Sequence, residues 1–207
     1  ARHDHHAHGR VVSVMARRSS KGRTRDRPTP FAQGSLDALC GIYAIVNAIA
    51  HLCPKLDRDD ARALFARLVG KLRAIRRRAL KTLWRGLNLA HMRKLLRHAL
   101  RWIARRHALR LGVQRIRHRI RREPRLSSLW RELRRKLDEG TVAIIGIGGL
   151  EAHWSVAIRT GRTWLKLIDS DGLTALKRSA CAVVPCARRY VLNPAEILFI
   201  RRLKTKT

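Results

Sequence analysis

The chain reads as an α+β domain in which a helical layer comes first and a mainly antiparallel sheet follows. Three observations say so. Apolar residues recur at helical spacing through three successive segments before residue 107. Beyond that point the pattern changes to alternation, as in "LRLGVQRIR". The dipeptide Thr160–Gly161 then joins two strand-like runs into a hairpin.

Each element has its own signal. Ile42, Ile45, Val46 and Ile49 set a first helix over 40–51, and Pro54 stops it. A second helical segment runs over 57–84 and ends at Gly86. Asp57, Asp59 and Asp60 lie in its first turn, where carboxylates suit the positive end of the dipole, and Leu64, Leu68, Leu72 and Ile75 give its apolar face. The third helix spans 88–107, with Asn88 as cap and a stripe of Met92, Leu95, Leu96, Ala99 and Ile103. Residues 108–120 alternate apolar and basic side chains and predict a half-buried strand. A short serine-capped helix follows over 127–139, stopped by Gly140. Strands are expected at 141–149, 153–160, 163–170 and 196–202.

Composition bounds the class of protein. With 207 residues the expectation is one domain over 31–203, carrying a basic helical middle over 55–138. Residues 1–30 read as a disordered basic and His-rich tail, with His3, His5, His6 and His8 in a stretch, 1–14, that resembles a tag or leader, and with Met15 as a candidate start. The formal charge is +33, and 37 of the 47 basic residues are Arg. Such a charge has two explanations: an acidic or polyanionic partner, whether nucleic acid or an anionic surface held by the Arg-rich helices or an acidic protein, or solvated helix faces with no partner. Apolar runs fall short of the roughly 20 residues that span a bilayer, so no transmembrane segment is expected. The expected location is cytoplasmic, or inside a target cell as a delivered effector. Cys181 and Cys186 have four residues between them, which is not a zinc-knuckle spacing. Neither a metal nor another cofactor is expected there, and His91, His98 and His107 read as surface or half-buried residues. Trp84, Trp102 and Trp130 read as core rather than as stacking platforms for bases.

The stretch "QGSLDALCGIYAIVNAI" carries the chemistry. Catalysis by a thiol needs a thiolate, a base, a group that orients the base, and donors for the oxyanion. Cys40 opens the first helix, where free N–H groups and the dipole favour a thiolate, and Gly41 is expected to leave space beside the sulfur. Gln33 stands seven residues upstream as one oxyanion donor, with the Cys40 backbone N–H as the other. His153 opens a strand behind the loop "GGLEA". With the hairpin centred on Thr160–Gly161, paired residues sum to 321, so His153 should face residue 168 and lie beside Asp169. Asp171 is the alternative third member, although its place before Gly172 suits a turn.

Gln33 and "CG" at the head of an apolar helix, then "HWSVAI", then "LIDSDG", together resemble the papain-like cysteine peptidases. The nearest likeness is the compact bacterial branch that cleaves double-glycine leader peptides. The likeness covers residues 31–40 and 141–172, and the spacing from Gln33 to Cys40 is one residue longer than the usual papain pattern. The resemblance implies a papain-like fold with Cys40 as nucleophile, His153 as base, Asp169 as the orienting group and Gln33 in the oxyanion hole. It implies a protein or peptide substrate and a peptidase, isopeptidase, deamidase or acyltransferase reaction through a thioester. The second reading is a nucleic-acid-binding protein that uses a papain-like scaffold without catalysis.

Overall fold

The computed structural model of the protein describes residues 30–32, 39–75, 86–137, 140–149 and 152–204. The tail over 1–29, Gln33, Trp84 and the end of the second helical segment therefore lie outside the described residues. The architecture is mixed helix and antiparallel sheet, with helices before the sheet. Helices α1 (Cys40–Leu52), α2 (Arg58–Ile75) and α3 (Leu89–His107) lead. Strand β1 (Leu111–Arg115) and helices α4 (His118–Arg122) and α5 (Leu126–Leu137) come next. The rest of the sheet is β2 (Val142–Gly149), β3 (His153–Thr160), β4 (Trp164–Ile168), β5 (Ala175–Lys177), β6 (Cys181–Ala182) and β7 (Tyr190–Arg202).

The strands lie in the order β1-β7-β2-β3-β4-β5, every neighbour antiparallel, and β6 pairs in parallel with the start of β7. Helices cover both faces of this sheet. Val142, Ile144, Trp154, Val156, Leu198 and Ile200 pack with α1, α2 and α3. The alternate residues Ala143, Ile145, Ile147, Ala157, Ile197 and Phe199 pack with Leu129, Trp130 and Leu133 of α5. Period-two alternation sends one set of side chains to each face, so a strand with apolar residues at every position must be covered twice. Helix α1 is apolar nearly all round and lies buried; each fully buried Ile along it contributes about 1.5–3 kcal/mol.

Several elements depart from the sequence-based expectation. The alternating run over 108–120 is strand only over Leu111–Arg115; Arg117 then opens a short helix whose amides turn back onto the Arg117 carbonyl. Helix α5 begins at Leu126, where Leu129 N donates to Arg125 O, so the serines sit inside the helix and do not cap it. Strand β7 starts at Tyr190 and not at Glu196. Pro194 concealed its first half, because a proline cannot donate to a ladder. The strand passes it at a bulge, where the β2 register shifts between Ile145 and Ile147. The β3–β4 turn is also wider than two residues: Gly161 N donates to Trp164 O, and Thr160 pairs with Leu165.

One contact ties the start of β3 to the helices, and another sets the end of β2 against the start of β7. Trp154, buried, donates its Nε1–H to the carbonyl of Leu87 at 2.6 Å and so ties β3 to the segment that enters α3. Gly149 closes β2 with φ +113°, and a Cβ there would run into the carbonyl oxygen of Arg189. We expect Trp154→Phe to leave the Leu87 carbonyl buried without its donor. Gly149→Ala is expected to force that backbone apart. Each should lower the unfolding free energy by about 1–3 kcal/mol, read from urea denaturation with an unchanged slope.

Candidate active site

The site forms where three element ends meet: the first residue of α1, the first residue of β3 and the residue after β4. His153 Nε2 lies 2.7 Å from Asp169 Oδ2, and the imidazole also lies close enough to the Cys40 thiol to interact with it. Because Nε2 is engaged by the carboxylate, the other ring nitrogen, Nδ1, is the one left for the sulfur. The structure thus brings together Cys40, His153 and Asp169. Gln33 lies outside the described residues.

Asp169 meets His153 by a route other than the one the hairpin count suggests. Val156 pairs with Ile168, so the register sums to 324 and not to 321, and its continuation sets Asp169 opposite Ser155. The wider turn at Gly161–Trp164 pairs Thr160 with Leu165, and a register shift between Ala157 and Arg159 then slips the pairing back by one residue. His153 and Ser155 are two apart on β3 and share a face, so the Asp169 carboxylate reaches the imidazole as a diagonal neighbour. Its second oxygen, Oδ1, accepts from Asp171 N at 2.8 Å and Leu173 N at 3.2 Å. That leaves Asp171 as an exposed turn residue whose backbone holds the carboxylate. The Ser155 hydroxyl also faces this carboxylate, outside strict hydrogen-bond geometry.

The charges follow from these contacts. Burial works against a charged imidazole, yet the hydrogen bond to Asp169 and the adjoining Cys40 thiol, with the charges of both, raise the His153 pKa to about 10. Burial likewise works to raise the Asp169 pKa, but the hydrogen bond from His153, the facing Ser155 hydroxyl, the imidazolium charge and the Asp171 N–H hold it below the usual carboxylate range. At neutral pH the pair is therefore an imidazolium held by a carboxylate.

Cys40 is buried, and no side chain caps the first turn of its helix. Ile42 N and Tyr43 N both donate to Leu39 O, which leaves the N–H groups of Cys40 and Gly41 outside the helical ladder. Such groups, beside a sulfur at a helix N-terminus, suit a developing oxyanion. Gly41 has a different reason from the one expected. A Cβ there would stand 2.5 Å from Met92 Sδ and 2.9 Å from Leu87 Cδ1, so its smallness lets α1 approach α3 rather than clearing space at the sulfur. A cleft of about 320 Å³ opens beside the imidazole, lined by Ile147, His153, Asp169, Leu173 and Tyr190.

One positioning residue escaped the sequence reading. Asn47, buried on α1, accepts from Phe31 N at 2.9 Å and donates to Phe31 O at 3.2 Å. It therefore pins the segment that leads toward residue 33. The signal was present: an Asn inside "AIVNAIA" has to find partners when buried. Of the other singled-out residues, His107 Nε2 lies 3.0 Å from Asp60 Oδ2, and Trp130 is core, its Nε1–H on Gly161 O. Cys181 is a buried free thiol whose pKa burial pushes up to about 11 against the pull of Arg188, and Cys186 is free and exposed. Among the described residues no three His, Cys, Asp or Glu side chains gather as a metal site, and no helix is long and apolar enough to cross a membrane.

An imidazole fixed by a carboxylate on one side and meeting a thiol on the other can take the thiol proton and return it. No family model matches the chain, and no curated protein or solved structure does either.

The imidazole pKa in the folded protein lies above the ordinary 6.5, so its contribution to stability is full below pH 6.5 and fades as pH rises toward about 10. The Asp169 pKa lies below the ordinary 3.8, so its contribution is present above 3.8 and is lost as pH falls through the folded value. Asp169→Asn should therefore melt below the wild type by a margin that is widest between pH 3.8 and 6.5 and narrows on either side, as read by circular dichroism.

Proposed function

We propose that the protein is a papain-like thiol hydrolase acting on peptide, isopeptide or side-chain amide bonds. The observation that carries this reading is the His153 imidazole, bonded to Asp169 through Nε2 and lying beside Cys40, with that cysteine at an uncapped helix N-terminus. The order of Cys before His before Asp, with helices ahead of an antiparallel sheet, supports the papain-like assignment.

In the proposed cycle the Cys40 sulfur, its proton held by His153, attacks the substrate carbonyl carbon. The oxyanion lies against the N–H groups of Cys40 and Gly41, with the Gln33 amide as the further donor. His153 gives its proton to the departing nitrogen, the C–N bond breaks and a thioester remains. Water, losing a proton to His153, attacks the thioester; the acid is released and Cys40 regains its starting state. A second nucleophile in place of water makes the same cycle an acyl transfer. Asp169 keeps the ring oriented and offsets its charge throughout.

Iodoacetamide labelling followed by mass spectrometry tests this, because the protein carries its own control. Cys186 is exposed and Cys40 is buried, so accessibility alone predicts that Cys186 labels first. A preformed ion pair predicts that Cys40 labels faster, even near pH 6, and that His153→Ala slows it about 10²-fold or more. Faster labelling of Cys186, with Cys40 indifferent to His153, would sink the proposal.

A further inference from the structure

The groove between α2 and α3 lies apart from this site and has a different character. It encloses about 760 Å³, and Arg67 and Lys71 line it from α2 while His98, Arg101, Trp102 and Arg105 line it from α3. The spacing explains the convergence: 67 and 71 are one helical turn apart, and 98, 101, 102 and 105 share one face. Helix α3 has no Asp or Glu anywhere along it. The nearby carboxylates, Asp57, Asp59 and Asp60, all belong to the start of α2. Asp60 is already engaged by Arg106 at 3.0 Å and by His107 at 3.0 Å. That contact joins the start of α2 to the end of α3, which sets the helices antiparallel and closes one end of the groove. Among the described residues, the Arg67, Lys71, Arg101 and Arg105 charges have no carboxylate partner.

Like charges gathered in this way repel, and screening does little to relieve them. The Debye length is about 8 Å at physiological salt, comparable with the width of a groove this size. The effect is visible on His98: burial and the charges of Lys71, Arg101, Arg67 and Arg105 together depress its pKa below 6.5. A multiply charged anion removes that cost and collects several charge-assisted hydrogen bonds at once.

We infer that this groove binds a compact, multiply phosphorylated anion of the triphosphate class. A concave site with four uncompensated cations matches a short run of phosphates. A long phosphate backbone continuing past Arg106 would cross the carboxylates at the start of α2, which disfavours an extended nucleic acid there. The site is independent of the thiol chemistry, so Cys40→Ala should bind equally well.

The test is calorimetric titration of the full chain with tripolyphosphate at fixed ionic strength, using two double variants that each remove two charges. Arg101→Gln with Arg105→Gln should weaken binding about tenfold or more. Arg122→Gln with Arg134→Gln, on exposed positions of α4 and α5, should change it less than about twofold. The groove pair should not lower the melting temperature, because it relieves repulsion. In the wild type, the His98 ring resonance should titrate at higher pH once tripolyphosphate is bound. Equal weakening by both double variants would overturn the inference in favour of a diffuse field from the whole +33 chain. So would a 12-nucleotide single-stranded RNA that depends on the groove pair while tripolyphosphate does not bind.

Discussion

The Asp169 carboxylate is the point on which the site depends. One oxygen accepts from the imidazole of His153 while the other takes the N–H groups of Asp171 and Leu173. The same group therefore ends β4, shapes the turn that follows and aims the ring. A carboxylate buried this deeply is costly to charge unless each oxygen has donors, and here each has. The imidazolium and the turn satisfy it together, so loss of either partner would leave a buried charge poorly compensated.

Fixing the ring has value only if the sulfur is fixed too, and that depends on packing on the opposite face of the sheet. Trp154 follows His153, so its side chain points the other way, into the helical layer. There it bonds the Leu87 carbonyl, and Leu87 in turn lies against the space that Gly41 leaves empty. Thus the residue after Cys40 and the residue after His153 meet a common neighbour. A close-packed interior transmits small shifts rather than absorbing them, so this contact couples the placing of α1 to that of β3.

The charge of the chain is arranged without disturbing that core. Glu132, a buried acid on α5, is matched by Arg135 at 3.3 Å and Arg117 at 3.6 Å. Most of the arginines stay on exposed faces, where water solvates them. The α2–α3 groove is different in kind, because it concentrates cations in a concavity with its carboxylates all at one end.

Much of this was legible in the sequence because it is local. Helical spacing marked α1 and α3, and Asn88 caps α3 as its position suggests, accepting from His91 N at 3.0 Å. The strand runs at 141–149 and 153–160, and the placing of Cys40, His153 and Asp169 at element ends, were equally plain. What pattern could not supply was long-range. The register of β3 on β4 depends on how many residues the turn at Gly161 consumes, and that is decided by Trp164 folding back over it. Strand β7 crosses Pro194 because it bulges there against β2, and the serines at 127–128 lose a capping role because the chain turns helical at Leu126. Gly41 looked like room for chemistry and is room for a neighbouring helix. Residue type and spacing determined which groups are present and on which elements. Only the tertiary structure decided which of them touch, because contacts between residues 40, 153 and 169 form through the packing of the whole core and not through any local preference of the backbone.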